Sequence, residues 1–155
     1  MLWSRRVRSL MVVAAALVVV AAHASTAYAA EWLPPVEGGS MILGFGAAYP
    51  GGTHRGVDIA AAPGVTVSAP VAGTVSFAGR VPADGGGTCV AVTLELADGR
   101  RMSLLPLESA DVVSGECVET GQTLGVLAAS GDDSSSTTHL HVSLRRGELY
   151  LDPGD

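Results

Sequence analysis

The stretch T-H-R-G-V-D at residues 53–58 places the imidazole of His54 four residues before the carboxylate of Asp58. It follows Y-P-G-G at 49–52, a run of turn-forming residues, and leads into a predicted strand at 57–60. Zinc binds imidazole nitrogen and carboxylate oxygen, and a catalytic zinc site keeps one position open for water. The His-x-x-x-Asp spacing alone is a weak indication of a ligand pair.

A second pair of histidines, His139 and His141, lies far downstream in the sequence H-L-H. In a strand, side chains at i and i+2 share one face and lie roughly 6.6–6.8 Å apart. One imidazole can then bind a metal while the other faces the reacting group. Two partly exposed histidines on an edge strand would give the same pattern. However, the two motifs contain every histidine of the chain except His23, which favours a site.

Taken together, these motifs resemble those of the lysostaphin/LytM-type zinc endopeptidases, which cut peptide bonds in bacterial peptidoglycan. The resemblance implies that His54, Asp58 and His141 bind one zinc ion per chain, with His139 as a catalytic histidine beside it. It also implies a peptidoglycan peptide as the substrate. The shared motifs, in the family's order, are H-R-G-V-D-I-A (54–60), P-G-V-T-V-S-A-P-V-A-G-T-V (63–75), G-Q-T-L-G (121–125), H-L-H (139–141) and L-D-P (151–153).

One position departs from the family pattern. The family usually carries a further catalytic histidine in a strand-end motif similar to Tyr-x-His-Leu. The corresponding stretch here reads L-L-P-L at 104–107, with Pro106 in the place of that histidine. Proline has no titratable group and no backbone N–H. The substitution predicts reduced activity but leaves the metal site intact.

The first 29 residues have the features of a signal peptide. Arg5, Arg6 and Arg8 precede an apolar run at 10–22, and A-Y-A at 27–29 provides a cleavage site. The apolar run has 13 residues, short of the ~20 that a spanning helix needs, so we expect export and no stable membrane span. We expect an extended lead-in at 30–40, a metallopeptidase domain at 41–155, and a secreted or cell-envelope location.

Charge excludes one class of partner. Without residues 1–29 the chain has six arginines, no lysine and 15 acidic residues, for a net charge of −9. Nucleic-acid binding needs basic patches against phosphate, so we expect no nucleic-acid partner. The absence of lysine also excludes a biotinyl or lipoyl carrier domain, whose hairpin-tip lysine is the modified residue.

The chain alternates short β-branched runs with glycine and proline and contains no amphipathic helix, which indicates an all-β fold. We expect a single compact antiparallel sheet or barrel-sandwich-like domain, monomeric, with long loops around a metal groove. Asp98-Gly99 predicts a hairpin turn, and Trp32 is expected to pack on the domain. The other predicted strands are 65–69, 73–78, 89–96, 101–105, 123–127 and 139–144.

The two cysteines, Cys89 and Cys117, both lie in the part expected to be exported. Oxidising compartments favour a disulfide, which we predict between them. Two buried thiols, or thiols bound to the metal, are the alternatives. The second lacks the close C-x-x-C spacing of zinc sites.

The function expected from these observations is that of an exported zinc metalloendopeptidase of peptidoglycan. Because of Pro106, a catalytically weakened or inactive domain of the same fold, acting as a peptidoglycan-binding or regulatory module, is the alternative. A barrel-sandwich adaptor without metal is the third possibility, and metal analysis distinguishes it from the other two.

Overall fold

The computed structural model describes residues 32–83, 86–129 and 135–155. The predicted signal peptide at 1–29 lies outside the described residues. Within these ranges the chain forms strands and turns, and no helix has the length and hydrophobicity needed to cross a membrane.

Twelve strands are present in the described ranges. They are β1 (Ser40–Leu43), β2 (Ala48–Tyr49), β3 (Gly52–Thr53), β4 (Val57–Ala60), β5 (Thr66–Ser68), β6 (Gly73–Pro82), β7 (Thr88–Glu95), β8 (Arg101–Ala110), β9 (Cys117–Val118), β10 (Thr123–Leu127), β11 (His139–Arg146) and β12 (Leu149–Leu151).

Ten of these strands form one sheet, in which every described pairing is antiparallel. Its main path runs β1-β4-β11-β8-β7-β6-β9, while β12 flanks β11 and β10 bridges β8 and β5. The path does not close on itself. The short strands β2 and β3 form a separate hairpin just before β4. The prediction of an all-β antiparallel fold is confirmed.

The alternation of side chains along β11 separates the hydrophobic core from the opposite face of the sheet. Leu140, Val142 and Leu144 are at most 3% exposed and pack in the core. Side chains at 141, 143 and 145 point the other way, because successive residues of a strand alternate between faces. The core also takes side chains from most other strands, among them Val67, Val75, Val92, Leu94, Met102, Leu104, Leu124 and Leu127.

The lead-in segment runs along the domain surface. The Leu33 N–H donates to the Pro70 carbonyl at 2.9 Å, and the Ser68 N–H donates to the Pro35 carbonyl at 2.8 Å. Val36 is buried in the core. Trp32 packs against the core, as predicted, with the Arg100 guanidinium 5.8 Å from its ring centroid.

Strands β4 and β10 have the bounds predicted from sequence, whereas β8 extends five residues beyond its predicted end at 105. The strand predicted at 101–105 ended just before Pro106, a residue that cannot donate to a ladder. The strand continues because it changes neighbours at this point. Leu105 pairs with β11, whereas Leu107 pairs with β10. The Pro106 carbonyl still accepts a hydrogen bond from the Ala128 N–H at 3.2 Å.

The predicted disulfide between Cys89 and Cys117 is wrong. Cys117 pairs with Thr74 of β6, and Cys89 pairs with Val81 of the same strand. Seven residues along a strand correspond to roughly 20 Å, whereas disulfide-bonded Cα atoms lie within about 7 Å. No disulfide joins the two cysteines. The sequence could not exclude the bridge because the separation follows from strand register.

Candidate metal centre

Strand register brings the two sequence motifs together. In the antiparallel pair β4–β11, Asp58 lies directly opposite His141. His54 is in the turn between β3 and β4, and its N–H donates to the Ala47 carbonyl at 2.8 Å. Asp58 and His54, which precede His141 by 83 and 87 positions in the sequence, therefore meet it at one point.

Three ligand atoms converge at this point. The Asp58 Oδ1 atom lies 3.0 Å from His54 Nε2 and 2.8 Å from His141 Nδ1, and the two ring nitrogens are 3.1 Å apart. Ligands about 2.0–2.1 Å from a tetrahedral zinc ion would be separated by roughly 3.3 Å. The triangle is within about half an ångström of that size.

The protonation of His54 can be read from its other nitrogen. Nδ1 lies 3.0 Å from the Gly44 carbonyl oxygen, which can only accept, so Nδ1 carries the hydrogen and donates it. In the neutral ring, Nε2 then presents a lone pair toward Asp58 and His141. A backbone carbonyl that holds the second nitrogen is the usual arrangement for a metal-binding histidine. Acceptor atoms facing one another need a shared proton or a cation, and a zinc ion fits this donor set.

The three side chains of the cluster differ in their exposure to solvent. The side chains of His54 and Asp58 are 4% and 0% exposed, whereas that of His141 is 21% exposed. The Tyr49 ring packs edge-on against His54, with centroids 6.1 Å apart. The cluster is therefore accessible from the face of the sheet that carries His141.

His139 lies on the same face of β11 but is completely buried. Its Nδ1 donates to the Thr137 carbonyl at 2.7 Å, so in the neutral ring Nε2 carries the lone pair. That nitrogen is 3.7 Å from Asp58 Oδ2, whereas the contacts with His54 and His141 given above are made by Oδ1. His139 thus sits beside the triangle without belonging to it.

A groove of about 1250 Å³ runs from the cluster across the sheet. The floor of the groove is formed by rows of side chains, and each row consists of residues that are paired across neighbouring strands. The row at the cluster contains His141 and Leu105, the next contains Ser143, Ser103 and Thr93, and Arg145 lies one row further. Ser103 and Thr93 share a hydrogen bond of 2.9 Å. Pro106, the position predicted to have lost a histidine, also lines this groove.

A sequence model of peptidase family M23 matches residues 52–153, about two thirds of the chain, including all three cluster residues. The chain belongs to peptidase family M23. Membership of this family supports a metallopeptidase, and it agrees with the resemblance inferred from the sequence motifs.

Solved structures of M23 proteins are similar in fold. Lysostaphin, in solution, is 28% identical with a TM-score of 0.63, over 75% of this chain and 49% of that one. The catalytic domain of lysostaphin from Staphylococcus simulans, an antimicrobial peptidase, is 27% identical with a TM-score of 0.63, over 75% of this chain and 90% of that domain. A putative M23 peptidase from Pseudomonas aeruginosa is 26% identical with a TM-score of 0.64, over 80% and 49% of the two chains. This M23 chain therefore spans about half the length of two of these proteins.

Gly56, which the sequence motifs did not single out as a site residue, shapes the histidine–aspartate cluster. A β-carbon on Gly56 would lie 2.5 Å from the Val142 carbonyl oxygen and 2.7 Å from the His141 ring. The glycine therefore lets β4 and the imidazole approach each other closely. Its position between His54 and Asp58 was the available signal. The carbonyls of Gly44 and Thr137, which orient two histidines, left no signal because any residue supplies a carbonyl.

Proposed function

We propose that this M23 chain is an exported zinc metalloendopeptidase that hydrolyses peptide bonds in bacterial peptidoglycan. The observation that carries the proposal is the convergence of His54 Nε2, Asp58 Oδ1 and His141 Nδ1 at one end of a long groove. The similarity to the catalytic domain of lysostaphin supports the same class of activity. The signal-peptide pattern at 1–29 supports export.

His54, Asp58 and His141 would hold the metal, and Gly44 would fix the orientation of His54 through its carbonyl. A zinc ion held by these residues would supply a water of lowered pKa and a Lewis acid for a substrate carbonyl.

His139 would handle the proton. Its Nδ1–H donates to the Thr137 carbonyl, so in the neutral ring Nε2 would be the proton acceptor. Nε2 lies 3.7 Å from Asp58 Oδ2, and this proximity to a proposed metal ligand supports His139 as the acceptor of a proton from the attacking water.

The groove would position the peptide. Hydroxyls of Ser143, Ser103 and Thr93 offer donors and acceptors to an extended backbone one row from the cluster. Gly86 and Gly87 line the groove, and residues without a β-carbon allow close approach of a substrate backbone.

Two observations favour a second candidate, a weakened or inactive M23 domain that binds peptidoglycan without cutting it. Pro106 provides no acid–base group where the family resemblance implies one, and such a group contributes typically 10²–10⁴-fold in rate. In addition, the His139 side chain is fully buried, so a substrate does not reach it in this conformation.

Metal content and turnover together distinguish these candidates. Purified wild-type protein should bind about one zinc ion per chain, and His54→Ala, Asp58→Ala and His141→Ala should each abolish most of this binding. Wild-type occupancy in the His141 variant would refute the proposed ligand set.

Turnover is measured as release of new amino termini from purified peptidoglycan by zinc-loaded protein. His139→Ala should keep zinc and lose at least ~100-fold in rate, the lower limit for a general acid–base group. A wild-type protein that holds zinc and binds peptidoglycan, but releases no amino termini, would establish the second candidate.

A further inference from the structure

The six arginines of the described residues fall into two groups. Three form ion pairs on the surface outside the groove: Arg100 with Asp98 at 2.6 Å, Arg101 with Glu95 at 3.2 Å and Arg146 with Asp98 at 3.6 Å. The other three, Arg55, Arg80 and Arg145, all line the groove. None of these three has a carboxylate within ion-pair distance among the described residues.

Few of the acidic residues that the structure describes line the groove. Glu108 is the one carboxylate among the described residues that line the groove, although the chain has 15 acidic residues. Asp58 is fully buried with its carboxylate facing histidines. Among the described residues that line the groove, cationic side chains therefore outnumber anionic ones in an otherwise acidic protein. Such a groove concentrates negatively charged ligands.

Arg145 is the best placed of the three for a substrate contact. It follows His141 by four residues on the same face of β11, roughly 13 Å along the strand. Its cross-strand neighbours are Arg101 and Tyr150. Like charges directly opposite one another destabilise a sheet, and Glu95 pairs with Arg101 rather than with Arg145.

Arg55 contacts Tyr150, the residue that pairs with Arg145. Its guanidinium carbon lies 5.4 Å from the Tyr150 ring centroid, a cation–π contact that holds the side chain at the groove. Tyr150 itself lines the groove and lies opposite Arg145 in the register of β11 and β12. Tyr150 thus connects the two arginines, through its ring contact with Arg55 and its strand pairing with Arg145, and all three residues line the groove.

We propose that this groove selects an acidic peptide, and that Arg145, assisted by Arg55, binds a substrate carboxylate located roughly two to four residues from the scissile bond. The inference rests on the proposed peptidase function and adds the charge of the substrate and the residues that read it. Guanidinium groups suit this role because their planar donors match a carboxylate in a bidentate pair.

The test compares two forms of one substrate. Soluble cross-linked peptides prepared from peptidoglycan are used with native carboxylates and after conversion of the carboxyl groups to carboxamides. Zinc-loaded wild-type protein should cleave the carboxylate form with a kcat/KM about tenfold to a hundredfold higher, the range for hydrogen bonds to a charged group. Arg145→Gln should lose this factor on the carboxylate form and change cleavage of the carboxamide form by less than about threefold, while Arg145→Lys should retain part of it.

Arg146→Gln is the matched control, because Arg146 is the next residue of β11, is 63% exposed and does not line the groove. Equal cleavage of both substrate forms by wild type would overturn the inference and leave the peptidase function standing. Equal losses in Arg145→Gln and Arg146→Gln would also overturn it, since the effect would then be one of net charge.

A binding measurement tests the inference even if the protein does not cleave peptidoglycan. Zinc-free wild-type protein should bind the carboxylate peptides more tightly than the carboxamide peptides in a fluorescence anisotropy titration, and Arg145→Gln should remove the difference. This result without any cleavage by the zinc-loaded protein would support acidic-peptide recognition and refute the enzyme. Equal affinity for both forms would refute the recognition.

Discussion

Replacing Gly56 by alanine should damage the metal centre without removing any ligand. The new β-carbon would lie 2.5 Å from the Val142 carbonyl oxygen and 2.8 Å from His141 Nε2. An ordinary contact is at least 3.4 Å, so the imidazole would have to retreat by roughly 0.6 Å. Zinc–nitrogen distances in proteins vary by only about 0.2 Å. A ring displaced by three times that tolerance cannot keep its bond to zinc while His54 and Asp58 keep theirs.

Two quantities should therefore change in Gly56→Ala. The zinc dissociation constant, measured by competition with a chromogenic chelator, should rise about tenfold to a hundredfold, the range for changes that misorient a ligand. The free energy of unfolding of the zinc-free protein, measured in urea, should fall by about 1–3 kcal/mol, because overpacking separates β4 from β11.

Gly44→Ala is the control for this prediction. Gly44 also adjoins the site, since its carbonyl holds His54, but a β-carbon there meets nothing closer than Met41 Sδ at 3.9 Å. The Gly44→Ala protein should therefore bind zinc with nearly wild-type affinity. Wild-type zinc affinity in Gly56→Ala would refute the argument that this close approach shapes the site.

Mass spectrometry of the non-reduced protein should detect no Cys89–Cys117 bridge, because the two residues pair with distant positions of β6; a linked peptide would contradict the register. The Arg100 N–H donates to Asp98 and lowers the pKa of that carboxyl from its ordinary 3.8, so the carboxylate stabilises the fold above pH 3.8 and this contribution disappears as the pH falls through the lowered pKa. Asp98→Asn should accordingly lower the urea midpoint at pH 7, with the deficit vanishing in strong acid; a deficit that is independent of pH would exclude the linkage. Pro106→His should raise the rate of peptidoglycan cleavage at least about tenfold, given the usual contribution of an acid–base group; an unchanged rate would show that position 106 is not the missing group.

Local patterns were sufficient to predict the fold class and most of the strands. β-branched runs separated by glycine and proline indicated β4 and β10 with their observed bounds. The Asp98-Gly99 signal gave the turn between β7 and β8, where Gly99 has a φ of 79°. These features are local, because a strand's face and a turn's backbone angles depend on neighbouring residues.

Features that depend on register could not be predicted in the same way. The end of β8 was placed too early, at residue 105. A proline is unusual in a central strand, but the neighbouring strand changes at Pro106 and β8 continues. The disulfide was predicted from compartment alone and failed because Cys89 and Cys117 are held at different points along β6.

The metal cluster was predictable in part from local patterns and depends in part on strand register. Residue types and the order of motifs pointed to His54, Asp58 and His141, and the structure brings their ligand atoms within 4.8 Å of one another. What places Asp58 opposite His141 is the pairing of β4 with β11, which the sequence does not specify. The same pairing requires a residue without a side chain at position 56. The motif therefore includes a glycine as well as the ligands, because the strand pairing that brings the ligands together leaves no room for a β-carbon at position 56.

The groove shows a further limit of sequence reasoning, because composition reports net charge and not its distribution. A net charge of −9 for residues 30–155 argued against a cationic binding surface. The structure shows that the three arginines outside the groove form ion pairs with surface carboxylates, whereas the three in the groove have no such partner among the described residues. Pairing decides which charges a ligand meets, and pairing depends on strand order. Acidic surroundings also strengthen selection, because an anionic peptide is repelled from most of this surface and attracted at the groove.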